Sequence, residues 1–121
     1  MKLRIHGSSL RLRVSRSDLE NLKTAGYVED ALRFSANSAL IYRLELAERA
    51  DVKARFTESL IVVELPNSLA APWYAEDQVS ISAQQGAAPD PLDILIEKDF
   101  TCLVPRPGED QADFFPNPAK S

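Results

Sequence analysis

The chain has 121 residues, of which 45% are hydrophobic and 26% charged, with a net charge of −4, one cysteine and one histidine. The apolar content argues against wholesale disorder, and one cysteine excludes both an intrachain disulfide and a multi-cysteine metal site. No apolar run approaches the roughly 18 to 20 residues of a membrane span, and the alternating N-terminus is unlike a signal peptide. We therefore expect one cytoplasmic domain over residues 1–121, with no membrane partner, cofactor or metal.

The charge is distributed unevenly along the chain. Residues 1–50 contain nine Lys or Arg against six Asp or Glu, whereas residues 51–121 contain five against twelve. The simplest interpretation is that the two halves pack together and neutralise each other. An acidic total also works against nucleic-acid binding, so we do not expect nucleic acid as a partner.

The first half predicts a hairpin, a helix and a second hairpin. Polar and apolar residues alternate in two runs around Gly7-Ser8, the pattern of a β-hairpin. Ser15 with Asp18, or Ser17 with Glu20, forms a capping box that begins a helix, and Gly26 is a natural C-terminal cap. The predicted elements are strands at 2–6 and 10–14, a helix from Ser15 or Ser17 to Gly26, and strands at 28–34 and 39–46 around the turn Ala36-Asn37-Ser38.

The second half repeats this order. Its strand at 60–65 is apolar on both faces and is predicted to be central in a sheet. Pro66 is tolerated at the start of a helix, and Pro72 limits that helix because it removes a backbone donor. The predicted elements are strands at 52–56 and 60–65, a short helix at 66–71, and strands at 79–83 and 92–100.

The two halves therefore predict an α+β fold with a duplicated β-β-α-β-β unit, in pseudo-repeats 1–50 and 51–100. Aligned fifty positions apart, Ser9-Leu10 falls on Ser59-Leu60. We predict a closed barrel or a strongly curved antiparallel sheet, in which residues 1–47 superpose on 51–100 about a pseudo-twofold axis. An open sheet with both short helices on one face is the alternative.

An irregular tail over residues 101–121 follows the last strand, and its prolines disfavour regular pairing. We predict that residues 101–118 are nevertheless ordered and packed on the body through apolar residues such as Phe114 and Phe115. The chain resembles a small bacterial family of about this length with no assigned activity, which implies the domain limits and a bacterial cytoplasmic origin but no mechanism. The resemblance rests on Lys2-Leu-Arg-Ile-His-Gly-Ser-Ser-Leu-Arg-Leu-Arg13, Ser17-Asp-Leu-Glu20 with Gly26, Glu97-Lys-Asp-Phe-Thr-Cys-Leu103, Gly108-Glu-Asp110 and Asp113-Phe-Phe-Pro-Asn-Pro118.

Isolated reactive groups do not form a catalytic pattern. Cys102 lies among acidic residues that disfavour its thiolate, so we predict a buried, inert thiol; a reactive thiol is the alternative. His6, on the polar side of a strand, is predicted to be solvated. The acidic tail lacks the spacing of a calcium-binding loop.

The first hairpin carries a row of basic residues on one face. Like charges on neighbouring strands destabilise a sheet, so this face needs anions, which we expect from the tail acids. A nucleic acid is the alternative, but no aromatic residues interleave with the basic ones for base stacking. The basic residues are Lys2, Arg4, Arg11 and Arg13, and the tail acids are Glu109, Asp110 and Asp113.

We predict a non-enzymatic module that binds another protein or forms a homodimer. No nucleophile with its base and no phosphate-binding glycine loop is visible. Trp73 and Tyr74 are candidate contact residues, since such side chains are enriched in binding hot spots, although a core position is the simpler interpretation. The alternative is a small enzyme or ligand-binding regulatory protein, with a polar site where the tail crosses the β-body, made of Asp99, Arg106, Glu109 and Asp110.

Overall fold

The structure is a computed structural model that describes residues 1–75, 78–87, 89–99 and 115. Within these residues the predicted order of elements, strand, strand, helix, strand, strand, occurs twice. The elements are β1 (Lys2–His6), β2 (Ser9–Val14), α1 (Arg16–Ala25), β3 (Tyr27–Ser35), β4 (Ser38–Ala47), β5 (Lys53–Thr57), β6 (Leu60–Pro66), α2 (Asn67–Trp73), β7 (Ser80–Gln85) and β8 (Leu92–Lys98).

Both helices begin where the sequence predicted. In α1, Ser15 and Asp18 form the reciprocal capping box, with the Ser15 N–H donating to Asp18 Oδ2 over 2.9 Å. Gly26 ends α1 with φ at +86°, a left-handed conformation that glycine adopts without a steric penalty. Pro66 precedes α2, and Pro72 lies one residue before its last.

The strands form two four-stranded sheets, so the predicted closed barrel is wrong. The prediction that every strand pairing is antiparallel is also wrong. Sheet I has the order β1-β2-β8-β7 and sheet II the order β3-β4-β6-β5. In each sheet the two central strands are parallel, β2 with β8 and β4 with β6. We call these two parallel pairings the parallel joints. An alternating pattern shows which face of a strand is buried, but the pattern is the same for parallel and antiparallel partners, so it could not reveal the joints.

Each sheet combines one hairpin from each half of the chain. The hairpin β1-β2 joins β7-β8, and β3-β4 joins β5-β6, so exchanging the halves converts one strand order into the other. Equivalent hairpin pairs are Lys2 with Arg13 and Lys53 with Glu64, which places the halves 51 residues apart. The alignment at fifty was therefore wrong by one residue, while the superposition of the two halves stays a prediction.

Side chains bridge the edges at which a barrel would have closed. The Gln85 carboxamide, on edge strand β7, accepts a hydrogen bond from the N–H of Ala54 on edge strand β5 and donates one to its carbonyl oxygen, both over 2.7 Å. The amide thus takes the place of a backbone partner. Because a side chain spans this gap, the two sheets stay separate.

The core lies between the two sheets and takes residues from both halves of the chain. Each helix covers it with two buried side chains, Leu19 and Leu22 from α1 and Ala70 and Trp73 from α2. Val62 is fully buried on the other face of β6, which confirms that this strand is apolar on both sides and central. The buried strand residues of the core are Leu10, Leu12, Val14, Ile81, Ile94 and Ile96 in sheet I and Val28, Leu44, Ala54, Val63 and Leu65 in sheet II.

We predict that Gln85→Ala lowers the free energy of unfolding by about 1–2 kcal/mol, because it removes two part-buried hydrogen bonds that join the sheets. Denaturant unfolding of the full chain measures this loss. Gln84→Ala is the matched control, since Gln84 is exposed and bonds only to Asp93 within its own sheet; we expect a change within about 0.5 kcal/mol. Equal losses for both variants would contradict the bridging role.

Candidate functional site

Asp99, the one described member of the predicted polar site, is buried and paired. It follows β8, is 5% exposed, and its Oδ2 lies 3.0 Å from Lys2 Nζ. Its N–H donates to the Val14 carbonyl over 2.8 Å, and its carbonyl accepts from the Phe115 N–H over 2.9 Å. The other proposed members, Arg106, Glu109 and Asp110, and also Cys102, lie outside the described residues.

Lys98 is a second buried charge beside Asp99. It is 3% exposed, and its Nζ donates to the Ala75 carbonyl over 2.5 Å. The Phe115 ring lies against the core with its centroid 5.4 Å from the same nitrogen. The ammonium group is therefore engaged by a carbonyl oxygen and an aromatic face, a favourable cation–π geometry.

Trp73 and Tyr74 occupy different environments. Trp73 has no exposed surface, and its Nε1 donates to the Val79 carbonyl over 3.3 Å. Tyr74 is half-buried, burial raises its pKa, and Lys23 Nζ lies 4.9 Å from its ring centroid. Trp73 thus has the core position, and partner contact by this pair, which stays a prediction, would rest on Tyr74.

An acidic residue of β8 forms ion pairs with the basic face of the first hairpin. Glu97 Oε1 lies 2.6 Å from Arg13 Nε and 3.6 Å from Arg11 Nε. The parallel joint places Arg13 directly opposite Glu97, which explains why an acid of the second half meets bases of the first. Arg4 is exposed without an ion pair among the described residues, and His6 is exposed as predicted. The tail acids lie outside the described residues.

Two exposed apolar residues, Leu32 and Phe34, lie on a projection that the sequence did not predict. β4 first pairs with β6 at Ile41 and Leu60, so the tip of the β3-β4 hairpin extends beyond β6. We call residues 29–40 the arm. On it Leu32 is 51% and Phe34 68% exposed, and in β3 every residue from Glu29 to Ser35 is exposed.

The backbone of β3 presents hydrogen-bonding groups at the edge of sheet II. Leu46 N–H donates to the Gly26 carbonyl over 2.8 Å, so even-numbered residues of β3 bond to β4. Along an antiparallel pair of strands, the backbone N–H and C=O groups of successive residues point alternately toward the partner strand and away from it. The N–H and C=O groups of Glu29, Ala31 and Arg33 therefore point away from β4, toward the edge of the sheet, where the Ala31 N–H donates to the Asp30 side chain over 2.9 Å.

Several arginine and glutamate residues form ion pairs on sheet II and next to it, and Arg33 takes part in none of those among the described residues. Arg43 lies 2.7 Å from Glu29 Oε2 and 3.3 Å from Glu45 Oε1, and the hydrogen bond that it donates to Glu29 is the main cause that raises the pKa of Arg43. Glu64 binds Arg55 on the neighbouring strand β5 and Arg49 in the segment between β4 and β5. Arg33, which is exposed on the arm, has no ion-pair partner within the described part of the chain.

A second apolar surface is a groove between the two sheets. Ile5 and Phe56, which are equivalent in the 51-residue alignment, are 60% and 67% exposed. They flank an open groove of about 360 Å³ that Leu10, Ile61 and Leu92 also line. The arm offers the longer exposed strand segment, from Glu29 to Ser35, whereas β5 has three consecutive exposed residues, from Arg55 to Thr57.

One signal in the sequence could have indicated the arm. The predicted strands at 28–34 and 39–46 are longer than the 60–65 strand beside them, and the observed β3 and β4 have nine and ten residues against seven in β6. The extra length had no partner strand to cover it. The alternation of Leu32 and Phe34 looked like that of a buried strand, so the exposure of these residues was missed.

The chain terminus forms a polar cluster beside the arm. The Met1 amine lies 3.0 Å from Asp18 Oδ2 and 3.7 Å from Asp30 Oδ2. The Tyr42 hydroxyl donates to the Met1 carbonyl over 3.3 Å. Burial raises the pKa of Tyr42, and the charges of Asp30 and Asp18 raise it further.

Two further searches bear on function. Among the described residues, no group of three or more His, Cys, Asp or Glu side chains is placed to hold a metal ion. Neither helix in this part of the chain has the length and apolar character required to cross a membrane.

Comparison with known proteins gives a family without an activity. Residues 1–119 match the model of DUF7009, described as a family of unknown function. No curated protein and no solved structure gives a significant match. The resemblance to a family with no assigned activity is therefore confirmed, and the function must be argued from the geometry.

We predict that the stability advantage of the wild type over Tyr42→Phe decreases above about pH 10, the usual pKa of a tyrosine. The pKa of Tyr42 is raised in the folded state, so its neutral form contributes stability that is fully present below the unfolded pKa. That contribution is lost as the pH rises through the folded pKa. Denaturant unfolding of both proteins at neutral and alkaline pH measures it, and a difference that is independent of pH would contradict the prediction.

Proposed function

We propose that this chain, which belongs to the DUF7009 family of unknown function, is a non-enzymatic binding module whose arm contacts another polypeptide chain. The observation that carries the proposal is the exposed edge strand β3 with Leu32 and Phe34 on it.

The apolar residues of the arm supply the driving force for contact. Full burial of one large apolar side chain contributes roughly 1.5–3 kcal/mol, and Leu32 and Phe34 are 51% and 68% exposed. Leu32 pairs with Leu40 across the hairpin, so both strands of the arm add to the same apolar face. A chain laid against this face would remove a continuous apolar area from water.

The backbone of the arm supplies the mode of binding. An edge strand with unpaired N–H and C=O groups is a template for an added strand. The outward groups of Glu29, Ala31 and Arg33 form such a row, in which an added strand would replace the Asp30 side chain as the partner of the Ala31 N–H. Strand addition gains affinity from main-chain hydrogen bonds and specificity from alternating side chains.

The non-enzymatic character is supported by the state of the buried charges. Asp99 is paired with Lys2, and Lys98 donates to a carbonyl oxygen. Both groups therefore have structural partners, whereas a catalytic acid or base must reach a substrate proton. The alternative polar site draws its remaining members, Arg106, Glu109 and Asp110, from outside the described residues.

The proposal is tested by photo-crosslinking in the cells that produce the protein. Phe34 is replaced by benzoylphenylalanine, an aromatic substitution that keeps the shape of the site. Phe56 is the matched control, since it is 67% exposed against 68% for Phe34 and lies on β5, at the opposite edge of sheet II. We expect covalent adducts with a polypeptide at position 34 and few at position 56.

The outcome distinguishes the two surfaces. Adducts at position 34 support binding through the arm, and mass spectrometry identifies the bound chain. Adducts confined to position 56 would move the binding site to the groove. Absence of polypeptide adducts at both positions would overturn the proposed function.

A further inference from the structure

We propose that the partner of the arm is a second copy of this chain, joined by antiparallel pairing of the two β3 strands about a twofold axis at Ala31. This inference rests on the proposed function and names its partner. It follows from the direction of the backbone groups and the order of charges along β3.

The backbone limits the possible registers. Outward groups belong to the odd-numbered residues, so odd residues of one β3 must face odd residues of the other. The twofold axis then lies at one of the five residues from 29 to 33. Each choice places a different set of side chains opposite one another.

Charge order selects one of these registers. An axis at Glu29, Asp30 or Arg33 places two like charges directly opposite each other, which destabilises a sheet. An axis at Leu32 opposes Glu29 to a serine and forms no ion pair. An axis at Ala31 places Glu29 opposite the partner's Arg33, and symmetry repeats this pair.

In the free chain, the side chains of Arg33 and Glu29 are both exposed at the edge where this pairing would form. Arg33 is exposed and has no ion-pair partner among the described residues. Arg43 contacts Glu29 Oε2 through Nε at 2.8 Å and through Nη2 at 2.7 Å. In the dimer the Glu29 carboxylate therefore accepts from the partner's Arg33 as well as from Arg43.

The apolar face of the arm gains partners in the same register. Phe34 falls opposite the partner's Val28, which sits at the edge of the core and is 7% exposed. The two copies of Leu32 become diagonal neighbours near the axis, within reach of large side chains. Both exposed apolar residues of β3 thus gain contacts.

The other edge of sheet II is already covered. Ala54 on β5 gives its N–H and C=O to the Gln85 carboxamide. At the β3 edge the Ala31 N–H is bound locally by the Asp30 side chain, which also lies 3.7 Å from the Met1 amine, and the added strand would replace that local bond. The contact closes after two copies because it is the same patch on both.

Sedimentation equilibrium of the full chain, from low to high micromolar concentration, tests the inference. We expect a reversible dimer whose Kd rises about tenfold or more in Arg33→Glu, because two attractive pairs become repulsive. Ala31→Pro should abolish the dimer without opening a β3-β4 hydrogen bond, since the Ala31 N–H points outward; because it removes the local bond to Asp30, its thermal unfolding is measured first. Lys53→Glu is the matched control, as it reverses an exposed charge on edge strand β5, and its Kd should be unchanged.

Charge exchange identifies the register. Arg33→Glu mixed with Glu29→Arg should form a heterodimer more tightly than either variant pairs with itself, because the mixture restores both ion pairs. Since Glu29→Arg also loses the contact with Arg43, its thermal unfolding is measured first, and the double variant Glu29→Arg with Arg33→Glu should recover a homodimer as a second check.

The outcomes separate this inference from the proposed function. A monomer at all concentrations, or a dimer insensitive to both Arg33→Glu and Ala31→Pro, overturns pairing through β3. A monomer that still crosslinks at position 34 to a different protein leaves the binding module standing and rejects the second copy. A monomer without polypeptide crosslinks overturns both.

Discussion

The two parallel joints, β2 with β8 and β4 with β6, are the constraint on which the rest of the structure depends. Each joint links one half of the chain to the other, and the facing residues Leu12 and Ile96, or Leu44 and Val63, are at most 1% exposed. A hairpin alone is at best marginally stable in water, so each hairpin depends on the one donated by the other half. The halves therefore complete each other's sheets and share one core.

The joints also decide how the uneven charge is balanced. The pairing of β2 with β8 places Arg13 opposite Glu97, and the last residues of the two strands, Val14 and Lys98, lie side by side. Asp99, the next residue, forms an ion pair with Lys2. Acids of the second half thus neutralise bases of the first, through Glu97 of β8 and Asp99 directly after it, while the tail acids lie outside the described residues. Arg49 with Glu64 is a similar pair between the halves in sheet II. Exposed pairs such as Arg49 with Glu64 contribute only roughly 0–1 kcal/mol, so packing at the joints dominates over them.

Local features of the fold could be predicted from the sequence because they depend on neighbouring residues. The capping box at Ser15, the cap at Gly26 and the hairpins follow from turn chemistry and alternation. Register and strand direction could not, because they depend on distant segments. The match of Ser9-Leu10 to Ser59-Leu60 misled by one residue, and one residue exchanges the two faces of a strand. For the candidate site, the alternation of residues along the arm was visible in the sequence. The exposure of the arm was not, because it depends on β6 beginning only at Leu60, opposite Ile41.

A single difference between the halves explains why one sheet edge is bridged and the other open. The parallel joints make Leu92 equivalent to Leu40, and the hairpin registers then make Gln85 equivalent to Leu32. At the first position an amide binds the backbone of Ala54 and covers the edge. At the second a leucine has no hydrogen-bonding group to offer the equivalent backbone and remains 51% exposed. Because an edge strand with an exposed apolar residue favours an added strand, this departure from internal symmetry supports the proposed binding through the arm.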